Sequence, residues 1–205
     1  MNAMSYLALP ILIALDSPIG GALLCIGAPI LLLLIWVAVT FNRLINLRNL
    51  IKNAWSNVDT ELKRRYDLIP NLVETVKGYA AHERDVLQRL TEARSRAVAS
   101  TGSPATQAKD ENELVRALRQ TYVVVEAYPD LKANQNFLKL QGELINTEDR
   151  IQAARRYFNG NVKDMNNCVQ MFPSNLIASI FGFSAAEYFE IEDTRQREVV
   201  QVKLS

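Results

Sequence analysis

The sequence predicts an all-α protein in which an N-terminal transmembrane helix continues into an antiparallel four-helix bundle of long helices. Three observations carry this. The 23 residues from Ile19 to Phe41 hold no charge. Apolar residues recur at threes and fours through nearly all that follows, the period of helices with one buried face. The breaks between these stripes are short, and proline or glycine marks them. The predicted division is an apolar segment 1–18, a span 19–41, a bundle 42–189 and a charged tail 190–205.

Within the first segment, the apolar run Tyr6–Leu15 covers about half a bilayer at about 1.5 Å per helical residue, so it is expected to be interfacial or re-entrant. Asp16-Ser17-Pro18 ends it. The next run, as a helix of roughly 35 Å, crosses a hydrocarbon core of roughly 30 Å with modest tilt. A retained anchor is favoured over a cleaved signal, because no Lys or Arg precedes Arg43 and the run is too long. Pro29 is expected to bend it, and Gly20, Gly21, Gly27 and Ala28 to permit close helix approach. Arg43, Arg48 and Lys52 follow the span and none precedes it, which assigns them to the membrane interface and the bulk of the chain to the cytoplasmic side. Cys25 and Cys168 are far apart and read as reduced thiols.

The first bundle stripe is Leu44, Leu47, Ile51, Trp55, Val58, Leu62 and Ile69, continuous with the span. Pro70 suits a first helical turn, so a tight turn is favoured there over a kink in a continuing helix, although the apolar phase carries through the proline. Leu72, Val76, Tyr79, Val86, Leu90 and Ala93 continue the pattern. Residues 98–112, VASTGSPATQAKDEN, read as a linker too polar to order itself. Glu113–Tyr128 returns to helix despite the β-branched run after Tyr122, and Asp130 is placed to cap the next helix. That longest helix carries Phe137, Leu140, Leu144, Ile151, Ala154, Phe158, Val162, Met165, Val169 and Phe172. Leu131, Leu138 and Ile145 are expected to widen its face until Pro173 ends it. Val199–Leu204 is the one stretch with strand character. Beyond the long helix, Leu176, Ile177, Ile180, Phe181 and Phe183 offer an apolar surface that either folds back on the bundle's end or forms an interaction surface for a partner or lipid. The tail from Glu190 reads as mobile or as an interaction tail.

Charge excludes one class of partner. With 23 basic and 22 acidic residues interspersed, no face replaces phosphate counterions, so nucleic acid is not expected. Lys63-Arg64-Arg65 reads as a solvated helix face. Catalytic equipment is equally sparse. His82 is the single histidine and reads as a surface helix residue; Tyr79 stands where a Glu-x-x-His ligand pair needs glutamate. No phosphate-cradling or serine-nucleophile motif occurs. Asp59/Glu61 and Glu148/Asp149 diverge around their helices, suiting solvated faces. No catalytic residue, cofactor or metal is expected.

Four separated motifs resemble one family: KRRYDLIPNLVETVKGYAAHE at 63–83, YPDLKANQNFLKLQGEL at 128–144, RRYFN at 155–159 and FPSNLIASIFGF at 172–183. In this order they resemble the LemA family. The resemblance implies a membrane-anchored bundle of four long antiparallel helices, with a membrane-organising or scaffolding role and no shared catalytic residues; the location expected is the bacterial inner membrane. The function expected is a non-enzymatic scaffold that self-associates as a homo-oligomer and remodels the lipid bilayer. The alternative is an adaptor presenting its bundle to another membrane protein, such as a protease or sensor.

Overall fold

A computed structural model describes residues 18–190, with side chains from Cys25 onward. Every described element is helical: α1 (Pro18–Lys77), α2 (Arg84–Ala99), α3 (Pro104–Glu126), α4 (Pro129–Lys132), α5 (Gln135–Gln170) and α6 (Ser174–Ile180). The apolar run Tyr6–Leu15 and the strand-like Val199–Leu204 lie outside the described residues. Two compact units divide the chain. One joins the residues up to Asn46 with Cys168–Ser184, and the other joins Leu47–Asn167 with the residues from Ala185.

In the first unit, α1 carries the only helix among the described residues that is long and apolar enough to cross a membrane. Only 6% of its most apolar window is buried, whereas a soluble core helix would be mostly covered. Ile26, Leu31, Leu34 and Val39 stand exposed on different sides, and the helix continues through Pro29. The same unit contains α6. Its C-terminus is closed by Gly182 at φ +69°, with Phe183 N–H donating to Ala178 O at 2.8 Å and Gly182 N–H to Ser179 O at 3.3 Å. This is a Schellman ending, and its left-handed position is open to glycine without strain.

In the second unit most of the expected stripe residues form the core, although Tyr79 is exposed and Leu87 is buried where Val86 was expected. Val58, Leu62, Ile69, Leu72 and Val76 of α1 meet Leu90 and Ala93 of α2, Leu114 and Val125 of α3, and Phe137, Leu144, Ile151, Phe158 and Val162 of α5 in one buried cluster. Each large aliphatic contributes about 1.5–3 kcal/mol through removal of its surface from water.

The turn expected at Pro70 does not form: α1 runs through it to Lys77, and the connection lies at 78–83. A proline inside a helix orphans the carbonyl four residues earlier, here that of Tyr66. Arg94 of α2 supplies the missing donor, its Nε–H reaching Tyr66 O at 2.7 Å. Tertiary packing thus satisfies the group that local sequence leaves open. His82 is exposed as expected, but in this connection rather than on a helix.

The linker expected at 98–112 shrinks to residues 100–103. Pro104 begins α3, and Gln107 and Glu111 lie buried within it. Composition misled there because the polar side chains are paired inside the protein. Asp130 caps nothing; α5 is capped instead by Asn134, whose Oδ1 accepts from Asn136 N–H at 2.9 Å and Phe137 N–H at 3.1 Å. Leu131 is buried, but Leu138 and Ile145 are exposed rather than extending the apolar face of α5.

Candidate functional site

Three places stand out, two in the second unit and one in the first. In the second unit, Arg65 of α1 is 1% exposed rather than solvated, and Glu111 of α3 is fully buried. Arg65 Nη2 donates to Glu111 Oε2, and its Nη1 donates to Glu148 Oε2 on α5 at 2.8 Å. Tyr66 O–H donates to Glu111 Oε1. Gln107 Nε2 reaches Tyr66 Oη at 3.1 Å, Ala97 O of α2 at 3.2 Å and Glu111 Oε1 at 3.3 Å. Gln152 Nε2 donates to Glu148 Oε1 at 2.9 Å. One polar layer therefore ties α1, α2, α3 and α5 together.

The helical period explains the placement. Arg65 and Tyr66 fall between Leu62 and Ile69 on the buried stripe of α1, as Glu148 falls between Leu144 and Ile151 on α5. Glu148 is thus turned inward while Asp149 is exposed, which corrects the reading of both as solvated. A buried charge pair recovers its desolvation cost only with further hydrogen bonds, and Tyr66 and Gln107 supply these to the Glu111 carboxylate. Most of its polar atoms are engaged with one another, while Arg65 Nε is buried without a partner. Among the described residues, no group of three side chains is placed to hold a metal ion.

Burial drives the Tyr66 phenol well above the ordinary tyrosine range, aided by the charge of Glu111 and the hydrogen bond Tyr66 gives it. Burial alone pushes Tyr122 up to about 12. The folded state therefore holds these protons more tightly than the unfolded chain, whose tyrosines titrate near 10. The stability they contribute is intact below that pH and is lost as pH rises towards the folded values. Unfolding free energy measured against pH should fall above about pH 10, and Tyr122→Phe should make that fall shallower without lowering stability at pH 7. An unchanged slope would contradict the assignment for Tyr122.

A second clamp escaped the sequence reading. Asn159 and Asn166, both on α5, each grip one backbone residue of an extended segment. Asn159 accepts from Phe189 N–H at 2.9 Å and donates to Phe189 O at 3.0 Å; Asn166 accepts from Ala186 N–H at 2.8 Å and donates to Ala186 O at 3.0 Å. Phe189 is fully buried, edge-on to Trp55 with centroids 5.3 Å apart.

In the first unit, Leu176, Ile180 and Phe181 of the expected apolar surface are exposed, while Ile177 is 5% exposed and Phe183 half-buried, so those two leave the surface. Met171 and Phe172 join it instead. Phe41, at the end of the charge-free run, packs on Phe181 at 4.7 Å and on Phe183 at 6.0 Å between ring centroids. Arg43, Arg48 and Lys52 are exposed along α1.

The family profile described as LemA family matches residues 54–204. The magnetosome protein MamQ 2 of Paramagnetospirillum magneticum is 25% identical over 174 residues, covering 73% of this chain and 64% of its own. The magnetosome protein MamQ of Magnetospirillum gryphiswaldense is 26% identical over 159 residues, covering 65% and 58%. Protein LemA of Metamycoplasma hominis is 26% identical over 161 residues, covering 77% and 72%. The chain spans less than two-thirds of the length of the two magnetosome relatives. None of these names is that of an enzyme.

Proposed function

This chain belongs to the LemA family, and from that footing we propose that it is a non-enzymatic scaffold anchored in the bacterial inner membrane, which self-associates to organise or remodel the bilayer. The observation that carries the reading is α1: one helix holds the apolar, exposed span and, further along, the core residues Val58 to Val76. The long helices of the second unit are taken to pack as an antiparallel four-helix bundle, with Arg43, Arg48 and Lys52 at the cytoplasmic interface. Repeated anchors held in a fixed array impose a spacing or curvature that separate flexible anchors do not, because lipid must cover each rigid apolar surface.

Cross-linking in cells tests self-association against the adaptor alternative. Scaffolding predicts a ladder of products made of this chain alone. A dominant product with a different membrane protein, and no ladder, would replace the scaffold with an adaptor.

A further inference from the structure

The exposed apolar side chains around α6 stand apart from the core, and their neighbourhood is unusual in two respects. First, they are not scattered. Met171, Phe172, Leu176, Ile180 and Phe181 fall within eleven residues, and Phe172 and Ile180 are 80% and 73% exposed. A cluster of large apolar groups facing water marks a docking surface. Second, the segment carries no charge. Along the sequence, Asp164 and Glu187 are the nearest charged residues on either side, and the polar residues between them are neutral serine, asparagine and glutamine; on α1 the basic Arg43 stands two residues beyond Phe41.

These properties select the occupant. A protein-binding surface surrounds its apolar centre with a polar rim in which charges provide steering and specificity. A headgroup–acyl boundary asks for a different pattern. Apolar groups enter the chain region, neutral polar groups meet the headgroups, and no charge is stripped of water. Position agrees with composition. Phe181 and Phe183 both pack on Phe41, the last residue of the charge-free run of α1. The surface is thus joined through aromatic contacts to the end of the span that leaves the bilayer. The Schellman ending at Gly182 fixes the return of the chain and holds Phe183 against the same ring.

The geometry points to the α6 region, residues 171–183, as a second membrane contact that inserts Phe172, Leu176, Ile180 and Phe181 into the boundary of the leaflet where α1 emerges. This rests on the membrane-anchored reading of α1. Each chain is then held by a span and by a shallow wedge beside it. The wedge fixes the rotation of α1 about its axis and adds area to one leaflet only, which couples an array of chains to curvature.

Full-length protein in phosphatidylcholine vesicles containing brominated lipid provides the test, because bromine quenches tryptophan only on contact within the bilayer. Ile180→Trp in a Trp36→Phe/Trp55→Phe background reports the wedge, with Phe172→Trp in the same background as a second reporter should the first misfold. Trp36, read alone in Trp55→Phe, reports the span. The inference predicts loss of emission at both wedge positions, greater with bromine near the ester end of the acyl chain than near its methyl end, together with quenching of Trp36. Quenched Trp36 with unquenched wedge reporters overturns the second contact and leaves the anchor standing. Wedge emission that is blue-shifted yet insensitive to bromine also overturns it, assigning the surface to a second copy or another protein. Trp36 beyond the reach of bromine at every depth would defeat the anchored reading itself.

Discussion

Replacing Glu111 with alanine is expected to lower the unfolding free energy of the full chain by about 3–5 kcal/mol, the range for removing one partner of a buried ion pair. The magnitude follows from what remains. Arg65, 1% exposed, keeps only Glu148 as an anionic partner, and Tyr66 and Gln107 lose the carboxylate oxygen they share. The informative companion is the double variant Arg65→Met/Glu111→Leu. It removes both charges, leaves the Tyr66 hydroxyl within 3.5 Å of Ala97 O, and frees Glu148, which is partly exposed, to meet water. Its stability should return to within about 1–2 kcal/mol of the parent, since buried pairs seldom outperform well-packed apolar replacements. Urea unfolding in detergent, followed by circular dichroism, reads both values. A double variant no more stable than Glu111→Ala would show that the layer's net contribution lies beyond the charge pair.

Phe189→Ala removes the largest apolar group of the extended segment from a fully buried site and, by the usual range for such deletions, is expected to cost about 3–5 kcal/mol of docking free energy. This loss has a ceiling. Once the segment leaves, the Asn159 and Asn166 clamps have no backbone to hold, so adding Asn159→Ala to Phe189→Ala should cost much less than Asn159→Ala alone. Trp55 provides the local readout, because Phe189 covers its ring. Its emission should shift to the red and become accessible to acrylamide. Unchanged Trp55 accessibility would contradict the docking described for residues 185–189.

The stripes on α1 and α5 were legible because helical spacing reports directly which face is apolar: Val58, Leu62 and Ile69, and equally Leu144, Ile151 and Phe158, are all buried. The polar layer was hidden in the interruptions of those same stripes. Leu62 to Ile69 and Leu144 to Ile151 each skip one helical step, and the skipped positions hold Arg65 with Tyr66 and Thr147 with Glu148. A charge standing in a gap of one stripe, matched by an opposite charge in the gap of another, is a signal that two sequences of spacing contain together and neither contains alone. Gln107 and Glu111 were lost for a related reason: composition counts polar residues as solvated, whereas pairing decides whether they can be buried.

Pro70 illustrates a different limit. Its cost to a helix is local and visible, but the Arg94 guanidinium that relieves it comes from another helix. Likewise Asn134 rather than Asp130 caps α5, because the short helix Pro129–Lys132 moves the start of the long one beyond the proline turn. The α6 surface is legible as apolar, but the pairing of Phe41 with Phe181 and Phe183 is a contact between residues far apart in the chain, which helical spacing does not report. The Asn159 and Asn166 clamps had no sequence signal beyond two asparagines spaced seven apart.

The scaffold reading turns on whether many copies act together on lipid. Electron cryotomography of purified full-length protein reconstituted into vesicles tests that most directly. The account predicts regularly spaced oligomers on the membrane and vesicles whose curvature changes where they gather. Isolated single chains on vesicles indistinguishable from protein-free ones would contradict it.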